Sequence, residues 1–289
     1  MAKVLKKRPK PSIAYLFIAP WIIGFIAFTA FPLLYSLYLS FHKVSLTTEG
    51  IKTNYVSFEN FQYAFTVDGV FMNYLIVFFR ELLISVPIII VFSLIIALLL
   101  NQKIRLRGLF RTIFFLPVII ASGPVLKELQ DMGVTTIPSI EEVFIYSLAS
   151  DNADQFIFGI LLYVLDNIIM ILWYSGVQIL IFLAVLQKID RQIYEAAMID
   201  GASTWEIFWK VTLPSIFPMI VVNTIYTIVA YSIFSLNPII EHIKVQMFEL
   251  DTGFGYASAL SWVYFVIIGL ILILVFVIMN SQSKKRYAS

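Results

Sequence analysis

Residues 194–214 read YEAAMIDGASTWEIFWKVTLP, and they separate two runs of almost pure hydrocarbon. Local chemistry predicts two short helices joined by a glycine. Asp190 is placed to cap the first helix, its carboxylate accepting from backbone N–H groups that lack partners at a helix start. Gly201 suits the end of that helix, where a left-handed residue is needed and side chains resist one. Ser203 and Glu206 match the S-x-x-E pattern in which each residue caps the other, so a second helix begins there. Trp205, Phe208 and Trp209 fall at i, i+3 and i+4 and give it one apolar face. Pro214 suits the first turn of the next apolar segment, where its missing N–H costs little.

Ala196 and Ala197 are small enough to let another surface approach the backbone, with Tyr194 and Glu195 beside them as polar anchors. Two readings fit this shape equally well: a knob that docks into a cytosolic partner, and an amphipathic loop lying on the membrane surface.

The surrounding chain is built for lipid. Of 289 residues, 60% are hydrophobic and only 13% charged, against roughly 25% charged in a soluble domain. A mean hydropathy of +0.90 leaves more apolar surface than a soluble globule can bury. Segments at about 13–41, 77–100, 109–126, 163–187, 214–236 and 258–279 each approach the ~20 apolar residues that cross a bilayer. An all-α integral membrane protein of six transmembrane helices follows. The first segment carries a basic leader but runs far longer than a signal-peptide core, so it reads as an uncleaved helix, tilted or bent at Pro20 and Pro32.

Charge sets the orientation. Fifteen of the 20 Lys and Arg residues fall in the N-terminal tail, 101–112, 188–213 and the C-terminal tail, which puts those segments and both termini in the cytoplasm. The loops at 42–76 and 127–162 then face outward. The net charge of +2 gives no footprint for nucleic acid. The absence of Cys excludes a disulfide framework and thiolate chemistry, and His42 and His242 lack metal-ligand spacing. The expected divisions are a tail at 1–12, a first transmembrane helix at 13–41, a membrane domain at 72–283 that includes the polar loop at 190–213, and a tail at 284–289.

The spacing E-A-A-x-x-x-G, nine residues, then I-x-L-P resembles the signature of the inner-membrane permease subunits of binding-protein-dependent ABC importers. Here it is Glu195, Ala196, Ala197, Gly201, Val211, Leu213 and Pro214, with Val211 as the one departure. GVQILIFLAVLQKI (176–189), LRGLFRTIFFLPVI (106–119) and AYLFIAPWIIGFIAFTAFPLLYSLYLSF (14–41) resemble that family's fourth, third and first helices, in the MalF- or UgpA-type carbohydrate branch. The resemblance implies a type I ABC importer permease fold in a bacterial plasma membrane. It makes Tyr194, Glu195, Ala196, Ala197, Asp200, Gly201, Leu213 and Pro214 the part that couples to an ATPase. It also implies a second, homologous permease in a heterodimer, two ATP-binding subunits and an extracytoplasmic solute-binding protein. ATP and Mg would sit on the ATPase, since this chain has no G-x-x-x-x-G-K-[ST] to hold phosphates.

A sugar path needs polar and aromatic groups inside the bilayer. Asn223, Tyr226, Thr227 and Tyr231 share one face of the fifth segment, and Asn167, Tyr174, Ser175 and Gln178 form a looser set in the fourth. The alternative for each is a hydrogen bond between helices, worth ~0.6 kcal/mol. Arg80 and Glu81 read as an interfacial ion pair, and Asp166 as a residue of the outer boundary. An ion-coupled secondary transporter is the competing reading, although no internal repeat supports it and carboxylates in the apolar segments are few. A membrane protease lacks any cluster of catalytic groups.

Overall fold

The computed structural model describes residues 11–47, 50–102, 108–109, 112–114, 116, 128, 132, 163–164, 167–234, 236–249 and 252–287. Most of the third apolar segment, the external loop at 127–162 and Asp166 lie outside them. Among the described residues four helices are long and apolar enough to cross a membrane: Tyr15–Ser40, Gly69–Asn101, Thr204–Ser232 and Gly253–Ser281. A fifth candidate joins Met170–Leu186 to Arg191–Ile199 through a 66° bend. The chain divides into two compact units, Met1–Met72 with His242–Phe265, and Asn73–Glu241 with Val266–Ser289.

The first unit starts with α1 (Pro11–Phe25), a π-helical turn (Ile26–Ala30) and α2 (Phe31–Ser40). Pro20 and Pro32 both lie within one helical span, Tyr15–Ser40. The Phe31 N–H reaches back to the Ile26 carbonyl, and this wider turn accommodates the missing donor of Pro32. A hairpin follows, β1 (His42–Thr47) against β2 (Gly50–Tyr55), antiparallel from His42↔Tyr55 to Thr47↔Gly50. It is an addition to the all-α expectation. Then come α3 (Glu59–Thr66) and the first turn of α4 (Gly69–Asn101). The Asn60 amide donates to the Ser40 and His42 carbonyls at 2.9 and 3.1 Å and fixes the hairpin's root.

Asp68 organises this unit. One carboxylate oxygen caps α4 by accepting from the Phe71 N–H at 2.8 Å. The other accepts from the Tyr256 hydroxyl at 2.7 Å and lies 2.8 Å from His242 Nε2. Burial alone would raise the Asp68 pKa, but the hydrogen bonds from His242, Phe71 and Tyr256 hold it below its ordinary value. The backbone approaches closely nearby, since a Cβ on Gly255 would collide with the His42 carbonyl.

The second unit is built on α4 from Asn73 onward, α5 (Ile168–Leu186), α6 (Arg191–Ile199), α7 (Thr204–Ile207), a second π turn (Phe208–Thr212) and α8 (Leu213–Ser232). It also takes the start of α9 (Pro238–Phe248) and the end of α10 (Gly253–Tyr287). Ile179 and Phe182 of α5 and Ile216 and Ile228 of α8 are fully buried. Pro214 sits in the first turn of α8, as expected, but no break precedes it. Helix runs without interruption from Thr204 to Ser232, and the Leu213 N–H reaches back five residues to Phe208. The same solution thus serves Pro32 and Pro214, a π turn ending two residues upstream of each.

Candidate functional site

The knob forms from its own sequence. Asp190 is extended and its carboxylate accepts from the Gln192 N–H at 3.0 Å, starting α6. At the other end Asp200 and Gly201 donate to the Ala196 and Met198 carbonyls, and Ala202 to Ala197. Gly201 turns the chain with φ +80, a conformation that L side chains rarely adopt. Ser203 then opens α7 with both arms of the capping box: its N–H donates to Glu206 Oε2 at 3.0 Å and its hydroxyl accepts from the Glu206 N–H at 3.3 Å. Lys210 Nζ lies 3.1 Å from Glu206 Oε1. One tertiary bond joins the arms, Tyr194 Oη to Thr212 Oγ1 at 3.1 Å.

The result is a helical finger with an open tip. Glu195, Ala196, Asp200 and Gly201 are exposed, and Met198 and Ile199 are 59% and 85% exposed. Tyr194, Ala197, Leu213 and Pro214 are half-buried behind them. Exposed apolar groups therefore stand beside small residues and carboxylates at the tip.

The polar residues expected along a substrate path separate into two groups. Tyr231, Tyr174 and Asn167 line a cavity of about 120 Å³ together with Phe78, Ser85, Tyr163, Phe234 and Asn237. The Tyr174 ring lies 5.1 Å from Tyr231 and 4.7 Å from Phe234, which makes an aromatic wall. Ser85 and Tyr163 share a 2.6 Å hydrogen bond, and Tyr231 donates to Glu81 at 3.2 Å. Glu81 therefore pairs with a tyrosine, and the expected Arg80–Glu81 ion pair does not form, because consecutive helical residues diverge by about 100°.

Asn223, Thr227, Gln178 and Ser175 do not line the cavity. All four are fully buried. Gln178 Nε2 donates to Thr227 Oγ1 at 3.0 Å, and Asn223 Nδ2 to the Gln178 carbonyl at 3.2 Å, stitching α5 to α8. Ser175 donates within its own helix to the Leu172 carbonyl. Tyr226, 40% exposed, points elsewhere. Ser85, Glu81, Phe234 and Asn237 were not among the expected residues. Glu81 and Ser85, polar and four apart in an apolar run, were the available signal.

Comparisons agree with this architecture. The probable ABC transporter permease protein YesP of Bacillus subtilis (strain 168) is 32% identical over 91% of this chain and 88% of its own length. The lactose transport system permease protein LacF of Rhizobium radiobacter is 34% identical over 73% of this chain and 70% of its own. The crystal structure of a bacterial alginate ABC transporter, in complex with alginate pentasaccharide-bound periplasmic protein, contains a chain that superposes with a TM-score of 0.62. It covers 98% of both chains at 20% identity, a likeness of fold. Residues 61–285 match the model of a single family, and the chain belongs to it: the binding-protein-dependent transport system inner membrane components.

Proposed function

We propose that this permease imports a sugar or oligosaccharide, delivered by an extracytoplasmic binding protein, by alternating access driven by a separate ATPase. The observation that carries the reading is the finger: α6, ended by Gly201 at φ +80, offers exposed Ala196, Met198 and Ile199 beside Glu195 and Asp200. In this reading α6 seats in a cleft of one ATP-binding subunit, and closure of the two such subunits moves it. ATP and Mg belong to those subunits. Both termini and residues 190–213 face the cytoplasm of a bacterium, as the Lys and Arg distribution favours.

The aromatic and hydroxyl-lined cavity is the substrate-path part of the proposal. Its volume of about 120 Å³ is below the roughly 300–1,000 Å³ of a complete ligand pocket, which favours a half-site completed by a second permease. The carbohydrate class is supported by the lactose permease relative and by the hydroxyl-bearing lining of Ser85, Tyr163, Tyr174 and Tyr231. The test is affinity purification from native membranes in mild detergent, with wild type beside Gly201→Asp. Wild type is expected to bring down a soluble ATPase and a second permease, and the variant to lose the ATPase selectively. Wild-type protein that purifies alone and transports in vesicles without ATP would overturn the proposal.

A further inference from the structure

The finger has a second apolar face that the docking surface of α6 does not include. Trp205, Phe208 and Trp209 form one cluster at the base of α8, with ring centroids 5.1 to 6.3 Å apart. Trp205 is 69% and Trp209 49% exposed. Large rings with a polar N–H gather where hydrocarbon meets water.

Helix length says which layer they occupy. Thr204–Ser232 is one helix of 29 residues, about 43 Å long at 1.5 Å per residue. A hydrocarbon core of ~30 Å takes only about 20 of them. No charge occurs between Val211 and Ser232, whereas Glu206 and Lys210 form an ion pair below that stretch. The uncharged stretch is therefore the crossing, and the excess, with its tryptophans, lies in the headgroup layer. Glu206 and Lys210 follow Trp205 and Trp209 by one residue each, so they sit about 100° round the helix, on a separate face.

From this we infer that Trp205, Phe208 and Trp209 insert into the phospholipid interface and set the depth at which the finger hangs. The Tyr194–Thr212 hydrogen bond carries that depth to α6. The inference rests on the cytoplasmic placement of the finger, yet its readout is independent of ATPase capture.

The assembled transporter, wild type and Trp205→Phe/Trp209→Phe, is reconstituted in bilayers of ordinary phospholipid or of phospholipid brominated high on the acyl chain. The wild-type emission minus that of the variant isolates the two indoles. Bromolipid is expected to cut this difference signal at least twofold, with little quenching by aqueous acrylamide. Quenching by acrylamide and not by bromolipid would place the rings in water. Protection from both would place a protein subunit over them. Either result overturns the inference, and neither depends on whether the ATPase is lost from Gly201→Asp.

Discussion

Asp68 accepts hydrogen bonds from three elements and is nearly buried beside His242, with side chains only 8% and 10% exposed. Its carboxyl is held below the ordinary value of 3.8, so the folded state favours the ionised form. The sign follows: its stabilisation is fully present above about pH 4 and is lost as pH falls through the lower folded value. Thermal melts of the purified protein are expected to drop on acidification below about pH 4, and less steeply in Asp68→Asn, which starts lower at neutral pH. Equal slopes for the two proteins would remove Asp68 from that account. Glycines at two positions illustrate how differently one residue type acts. Gly201 has open space around its missing Cβ and a backbone that demands glycine, whereas Gly255 has no room for a Cβ at all.

Between elements, the α5–α8 seam is polar at its centre. Gln178 Oε1 and Asn223 Oδ1 are buried with no hydrogen-bond partner in the protein, so the seam is under-satisfied. Thr227→Val would further strand Gln178 Nε2, at an expected cost of about 1–3 kcal/mol. Gln178→Leu combined with Thr227→Val is expected to recover most of that loss, since neither partner of the Gln178–Thr227 hydrogen bond is then left alone. A double-mutant cycle on thermal or denaturant unfolding measures the coupling. This seam also marks where sequence reading stops. Asp190, Gly201 and the Ser203–Glu206 box were legible because each cap is completed within three residues of itself. The partners Gln178 and Thr227 lie 49 residues apart, and Asp68 and His242 lie 174 apart, so only packing brings them together. The face shared by Asn223, Thr227 and Tyr231 was readable from spacing. Which of them meets a neighbouring helix and which meets a cavity depends on where α5 ends. The hairpin had a readable signal, alternating residues at 42–55 broken by a glycine, but an all-helical expectation left no place for it.

For the whole molecule, orientation is the property on which every larger reading depends. The chain has no cysteine, so any single one introduced reports alone. Thr53→Cys on the exposed strand β2 is expected to react with a membrane-impermeant maleimide in intact cells, and Ser203→Cys only after permeabilisation. The reverse pattern would invert the topology and remove the finger from reach of a cytosolic ATPase.

The uninterrupted helix from Thr204 to Ser232 has a mechanical meaning of its own. A finger joined to a span through a flexible linker would dissipate small displacements in that linker. Here the tryptophan base and Tyr231 at the cavity are opposite ends of one rod of about 43 Å. A tilt of about 5° about its lower end sweeps the upper end sideways by about 4 Å, more than the diameter of a water molecule. One continuous helix thus connects a push at the Trp205 end to the aromatic-walled chamber at the Tyr231 end.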